Sequence, residues 1–424
     1  MTTSPDILPA LRIWPRGLPD LKISMILSPE QLELAGARVL MRVDFNVPLD
    51  KKTLLPTDLT RIRAALPTIE YVLNAGASLV LCSHLGRPQG AAEDRYSLRH
   101  IVPALESVLN RKVRFVADCI SEEAMEVSAD LQPGSVLLLE NVRFHAGEES
   151  GDPEFAAQLA RHGNCYINDA FGTAHREHAS TATIAGHYKN QKAAGFLMKA
   201  ELNQAAMVLN HPARPFTAIM GGAKVSDKLL LIENMLGKVD RLLIVGGMAY
   251  TFCKAKGGEI GNSLCEDDRI ETAKTLLTKA ADLGVDLVIP TDSVAADAFS
   301  NDARRQVVNN TLIPQGWMGL DLGPESIRVM KNHIADSQTL LWNGPAGVFE
   351  FSNFQEGTKA VAEAVAEATS QGAFSLIGGG DSAAAIHAFG FEDKVSFVST
   401  GGGALLELLE GKVLPGVKAL EIEA

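Results

Sequence analysis

A chain of 424 residues with 46% apolar and 21% charged side chains is long enough for about two globular domains and ordinary in composition. Its formal net charge of −12 excludes nonspecific nucleic-acid binding, because a phosphate polymer is repelled over most of such a surface. No apolar run approaches the roughly 18–20 residues of a membrane helix, and the scattered cysteines (Cys82, Cys119, Cys165, Cys253, Cys265) form no C-x-x-C pair, which indicates reduced thiols and a cytoplasmic setting.

Met1–Leu27 carries Pro5, Pro9, Pro15 and Pro19 and no sustained apolar core, so it reads as a surface extension rather than a secretory signal. Arg12, Arg16 and Lys22 leave an organelle-targeting reading open. Short apolar runs then alternate with helical patterns. Strands are predicted at Ala37–Asp44, Ser78–Ser83, Arg114–Ala117, Ser135–Leu139 and Cys165–Asn168. A second series follows at Phe216–Met220, Arg241–Val245, Asp286–Pro290, Thr339–Trp342, Phe374–Ile377 and Val395–Val398. Continuous apolar strands between amphipathic helices indicate parallel sheets covered on both faces. The fold class is therefore α/β, with two doubly wound parallel-sheet (Rossmann-like) domains joined by a helix. Residues 1–192 form the first domain, and residues 193–210 the joining helix, which carries Leu197, Met198, Leu202, Ala205, Ala206 and Leu209 at near-helical spacing. Residues 211–409 form the second domain, and the prolines of His211–Pro215 end the helix before it.

Polar motifs fall at or just past the ends of the apolar runs, at Asp44, His84, Asn141, Asp169, Gly221, Gly246, Asp292, Asn343, Gly378 and Gly401. Ligands of open parallel sheets bind outside the carboxyl ends of the strands. Each half is thus expected to carry a site along one edge, with chemistry in the cleft between them.

In the first half Arg42, Arg61, Arg87, Arg143 and Arg176 recur beside turns, with His84, His175 and His178 nearby. Guanidinium forks grip phosphate or carboxylate oxygens in pairs. Any one of these arginines alone is more simply a surface ion pair, whereas five beside turns suit a small anion. Asp44 and Asn46 are placed to accept hydrogen bonds from a substrate hydroxyl. His175 and His178, with Cys165 upstream, lack a second cysteine at ligand spacing and are not read as a zinc site. Cys82, inside an apolar strand, reads as an inert core thiol.

In the second half Gly221-Gly222-Ala223-Lys224-Val225-Ser226-Asp227-Lys228 follows a strand and is expected to open a helix whose face Lys224 and Lys228 share. No Walker A loop occurs. Gly378-Gly379-Gly380-Asp381-Ser382-Ala383 satisfies G-x-G-x-x-A, the nicotinamide-dehydrogenase fingerprint, but the strand about 20 residues on ends in Ser399–Gly403 without the ribose-binding acid. Asp381 is either a helix N-cap or the carboxylate of a Mg2+-nucleotide site. Glu350 is either a ribose ligand or an exposed turn acid.

These residues carry a resemblance. RVDFNVP, SHLGRP, ENVRF, FGTAHR, GGAKVSDK, VGGMAYTF, WNGPAGVFE, GGGDSAAA and STGGGALLELLEGK resemble, in content and order, the signatures of the phosphoglycerate kinase family from about Leu32 to Ala419. The resemblance implies reversible Mg2+-dependent phosphoryl transfer between 1,3-bisphosphoglycerate and ADP, giving 3-phosphoglycerate and ATP, by a monomer with no nucleic-acid or membrane partner. It implies phosphoglycerate binding by Asp44, Phe45, Asn46, Arg61, His84, Leu85, Gly86, Arg87, Arg143 and Arg176. Lys228, Gly319, Glu350, Gly379, Gly380, Asp381 and Ser382 would surround the nucleotide, with Asp381 on the metal and Lys224 and Arg61 as the catalytic cations. It also implies that residues 410–424 return to the first domain. Glu177 stands where the family commonly has a small residue. The chemistry fits independently: a carboxylate or ADP oxygen is already ionised, so transfer asks for alignment and charge neutralisation, not a protein nucleophile. A dehydrogenase, or a noncatalytic nucleotide-binding scaffold, remains the alternative, although the scaffold would have no need of Lys224, Lys228, Arg61 and Asp381.

Overall fold

The computed structural model describes residues 25–422, so most of the expected N-terminal extension lies outside the described residues. The first series yields six strands: β1 (Arg38–Arg42), β2 (Ser78–Cys82), β3 (Val113–Val116), β4 (Val136–Leu139), β5 (Cys165–Asn168) and β6 (Lys192–Ala194). They form one parallel sheet in the order β3-β4-β2-β1-β5-β6. Met41 sits at its centre, opposite Leu81 on one side and Ile167 on the other. Helices cover both faces, which is why Val39, Leu40 and Met41 in succession are all fully buried.

β6 departs from expectation, since its residues read as the start of the joining helix. Ala193 and Ala194 pair with Ile167 and Asn168, so the joining helix begins at Phe196 and runs to Asn210. Gly195 makes that turn because a Cβ there would run into the Asp169 carboxyl. Asp169 Oδ1 in turn accepts the Met198 backbone N–H at 3.0 Å, satisfying a first-turn donor that the helix itself leaves open.

The second half contributes β7 (Phe216–Met220), β8 (Arg241–Ile244), β9 (Glu259–Ile260), β10 (Asp286–Val288), β11 (Asp292–Ala296), β12 (Arg305–Asn309), β13 (Leu312–Ile313), β14 (Met318–Leu322), β15 (Thr339–Asn343), β16 (Phe374–Gly378) and β17 (Phe397–Val398). Six of them form a second parallel sheet, β10-β8-β7-β15-β16-β17. β12-β11-β14 form a small antiparallel sheet that the apolar pattern does not announce. β12 is mostly exposed and β14 holds a glycine and an aspartate, so neither presents the apolar run of a central strand.

One apolar cluster runs from Leu40 and Tyr166 through Met198 and Leu202 on the joining helix to Phe216 and Leu405. The chain end lies against the first sheet's half: Gly416 N–H donates to Ala174 O at 2.8 Å, and Ile422 N–H to Met25 O at 2.9 Å. Among the described residues no helix is long and apolar enough to cross a membrane.

Candidate active site

A pocket of about 320 Å3 opens at the carboxyl ends of the first sheet's strands and gathers Asp44, Asn46, Arg61, His84, Arg87, Arg143 and Arg176. Each comes from the turn after a strand or from the helix that follows it. Arg61 Nη1 lies 2.5 Å from Asp44 Oδ2. Arg143, almost buried, donates from Nη1 to Gly86 O at 2.8 Å, and its Nε lies 3.2 Å from Glu149 Oε1. Asn46 Oδ1 accepts the Gly86 N–H at 2.8 Å, so the Gly86 turn is held from two sides. Gly86 adopts φ +64°, and a Cβ there would enter the Tyr96 ring.

The histidines do not supply the charge of this pocket. Burial, followed by the cations Arg42, Arg143 and Arg61, holds His84 well below the usual imidazole range. Its Nδ1 lies 3.2 Å from Arg42 Nη2, which can only donate, so the His84 proton sits on Nε2. Burial, then Arg143, Arg42 and Arg176, push His178 down to about 4. The positive potential therefore belongs to the guanidinium groups.

Three sequence-predicted residues do not offer side chains. Phe45 and Leu85 are core residues packed among Val43, Met41 and Leu98, and Gly86 contributes backbone alone. Arg42, grouped with the anion-binding arginines, is fully buried beneath the pocket and donates from Nε to Ser180 Oγ at 2.9 Å. Ser180 passes this on to buried Glu148 at 2.6 Å, so Arg42 is a scaffold cation. Asn141 is likewise structural, donating to Leu85 O at 2.8 Å and Tyr96 O at 2.9 Å. Gly401, Gly402 and Gly403, which follow the last strand of the second series, wall the arginine pocket of the first half. A Cβ on Gly401 would strike the Phe171 ring, which is why that close approach takes a glycine.

A second pocket, of about 470 Å3, lies at the carboxyl edge of the second sheet and includes Gly319, Glu350 and Asp381. Its walls add residues that sequence reasoning misses: Tyr250, Leu264, Phe299, Met318 and Leu320. Leu264 and Phe299 are large apolar side chains left 48% and 63% exposed, a wall suited to a flat aromatic base. No local sequence signal marks them, since they come from loops far apart in the chain.

The glycine motif at Gly221 departs from expectation. Residues 221–228 form a loop, and the helix starts at Leu229 with Lys228 as its N-cap, so Lys224 and Lys228 share no helix face. Gly221 serves backbone packing, because a Cβ would run into the Gly344 and Pro345 carbonyls. Lys228 Nζ donates to Asn343 Oδ1. Burial lowers the Lys228 ammonium while Asp381 opposes the shift. Lys224 is exposed and lines neither pocket.

Helix Gly380–Ala388 has Gly379, at φ +88°, as its N-cap, so Asp381 stands in the first turn and is not the cap. Ser382 Oγ is buried and accepts the Gly344 N–H at 2.6 Å. Asp381 is exposed and has no ion pair within 4.0 Å among the described residues. Open space beside Gly380, where a Cβ would touch nothing within 4 Å, leaves room at the helix N-terminus for phosphate oxygens. A lone carboxylate beside such a cradle fits a hard divalent cation shared with phosphate and water.

An arginine-walled anion pocket and a glycine-walled, apolar-sided pocket, each at the carboxyl edge of its own parallel sheet, define a two-site α/β protein that binds phosphorylated ligands. A family model described as phosphoglycerate kinase matches residues 30–412. A Porphyromonas gingivalis phosphoglycerate kinase is 51% identical over 417 residues, covering 92% of this chain and 99% of that protein. The Arabidopsis thaliana protein named phosphoglycerate kinase 3, cytosolic, is 52% identical over 392 residues, covering 92% and 97%. A solved phosphoglycerate kinase structure from Coxiella burnetii superposes with a TM-score of 0.85 at 41% identity, covering 93% of this chain and 98% of that one. The chain belongs to the phosphoglycerate kinase family.

Proposed function

We propose that the protein catalyses reversible transfer of a phosphoryl group between the acyl phosphate of 1,3-bisphosphoglycerate and ADP, giving 3-phosphoglycerate and ATP. The observation that carries this reading is the convergence of Arg61, Arg87, Arg143 and Arg176 on one pocket in which burial and those cations hold His84 and His178 below the usual imidazole range. Four permanent cations against Asp44 and Glu149 suit a ligand bearing a phosphate and a carboxylate.

In the proposed assignment the arginines hold the 3-phosphate and carboxylate, while Asp44 and Asn46 accept from the substrate hydroxyl. The second pocket takes the nucleotide's base, between Leu264, Phe299 and Met318, and its ribose, near Glu350. Its phosphates extend beyond that lining, past Asp381, to the helix start at Gly379, Gly380 and Ser382 near Lys228. Asp381, with the nucleotide phosphates, would hold Mg2+, which would supply charge neutralisation. The O–P bond to the acyl oxygen breaks as the bond to the ADP terminal oxygen forms, and no proton moves. Arg61 and Lys224 approach the phosphoryl in flight from opposite sides, which requires the two sheets' domains to close and exclude water.

The domain assignment that goes with this reading is 1–192, 193–210 and 211–409, with 410–424 packed on the first domain. We place the protein in the cytosol as a monomer, which a gel-filtration mass of one chain would support. The test of function is ATP-to-ADP conversion with Mg2+ in the presence and absence of 3-phosphoglycerate. Turnover that does not depend on the acid overturns the reading.

A further inference from the structure

The geometry points to a second cation position, apart from the nucleotide: we propose that Asp118, Cys119 and His145 bind a borderline divalent transition-metal ion, of which Zn2+ is representative. One ligand atom from each residue lies within 4.8 Å of the other two. Topology brings them together. Asp118 and Cys119 follow β3, His145 follows the turn after β4, and β3 and β4 are neighbouring parallel strands whose loops emerge side by side.

Each ligand is held before any ion arrives. Asp118 Oδ1 accepts from Ile120 N at 2.7 Å and Ser121 N at 3.0 Å, which leaves Oδ2 turned toward His145. The Cys119 carbonyl accepts from His162 Nε2 at 2.8 Å, pinning the loop. The His145 ring stacks on Phe155 at 5.2 Å. His145 Nε2 lies 3.4 Å from Asp118 Oδ2. That is long for a charge-assisted hydrogen bond, but it matches the edge of a zinc tetrahedron, about 3.3–3.6 Å for bonds of about 2.0–2.2 Å.

The donor set selects the ion. One sulfur, one imidazole nitrogen and one carboxylate oxygen suit Zn2+ or Co2+ and are a poor match for Mg2+, which prefers oxygen alone. Cys119 is fully buried, while the Asp118 and His145 side chains are 42% and 26% exposed. The sulfur thus forms the floor and the other two the rim, with the fourth position open to water. Burial pushes the Cys119 thiol well up, which opposes thiolate formation, but the ion's double charge acts against that cost at close range. A bound ion would tie the β3 and β4 loops together two residues from Arg143.

The test uses the full chain, stripped of divalent ions by chelator and titrated with Co2+, then Zn2+, without nucleotide. Expected are one equivalent of Co2+ with a sulfur-to-metal charge-transfer band, displacement of that band by Zn2+, and a rise in melting temperature on Zn2+ addition. Cys119→Ser should abolish the band, and Asp118→Asn or His145→Ala should weaken binding at least tenfold. Those two rim variants carry the test if Cys119→Ser does not fold. Asp381→Asn should leave the band unchanged, which separates this position from the nucleotide metal. Absence of a thiolate band in the wild type, or undiminished affinity in the two rim variants, overturns the proposal.

Discussion

Glu201, on the joining helix, accepts the Thr400 backbone N–H at 2.7 Å and the Thr400 hydroxyl at 2.9 Å, immediately before the glycines that wall the arginine pocket. Its other oxygen accepts the Ser399 hydroxyl at 2.6 Å. Glu201→Ala leaves these donors unpaired in a buried setting, and stability should fall by on the order of 1–3 kcal/mol. The KM for 3-phosphoglycerate should rise more than that for ATP, because Gly401–Gly403 loses its anchor. Urea denaturation and steady-state kinetics check both. An unchanged variant would mean that the link is idle.

Arg143 divides its guanidinium between the Gly86 carbonyl, Glu149 and the open pocket. Arg143→Lys keeps the charge and loses the fork. The KM for 3-phosphoglycerate should rise about tenfold, equivalent to about 1.4 kcal/mol. Equal KM values would show that charge alone suffices.

Lys224 is exposed and outside both pockets, so its contribution is expected only once the domains close. Lys224→Ala should lower kcat by two to three orders of magnitude, about 3–4 kcal/mol, the loss typical of one preorganised donor. Its melting temperature should stay within a degree or so of the wild type, as expected for an exposed side chain. Wild-type turnover would remove Lys224 from the mechanism.

Asp321 on β14 is buried, and burial pushes its carboxyl up to about 7. Oδ2 accepts the Gly357 N–H at 2.9 Å, while Oδ1 has no partner. The folded state holds this proton more tightly than the unfolded chain, whose carboxyl sits near 3.8. At this carboxyl the folded chain therefore binds more protons between those values, and its contribution to stability falls as pH rises from about 4 to 7, opposite in sign to that of the depressed His84 and His178. Asp321→Asn should flatten that part of the stability profile. Calorimetry from pH 4 to 8 checks it, and parallel profiles for the two proteins would contradict the assignment. Asp321 lies between the Gly319–Leu320 wall and Gly347, where a Cβ would meet its Oδ1, so the variant should also alter the nucleotide KM.

Much of this site is legible in the order of the residues. Asp44, Asn46, Arg61, His84, Arg87, Arg143 and Arg176 each follow a recognisable strand, and parallel sheets deliver such residues to one edge. The misreadings share a cause. Arg42 looks like its neighbours in sequence, but it lies at the strand's end under His84, where burial converts it into scaffold. Phe45 and Leu85 stand in the turns that follow β1 and β2, where the path of the backbone carries their side chains into the core beside residues that reach the pocket.

Local pattern by itself determined the two α/β series, the turns that follow their strands, and the residue types those turns carry, because strand and helix periodicity depends only on nearby side chains. Tertiary structure alone decided that Gly401–Gly403 walls the first half's pocket, that Phe299 and Leu264 side the second, and that Asp118, Cys119 and His145 converge. It also decided that His84 and His178 are neutral. Strand order, burial and the approach of distant charges set these outcomes, and each arises only when segments far apart in the chain are packed together.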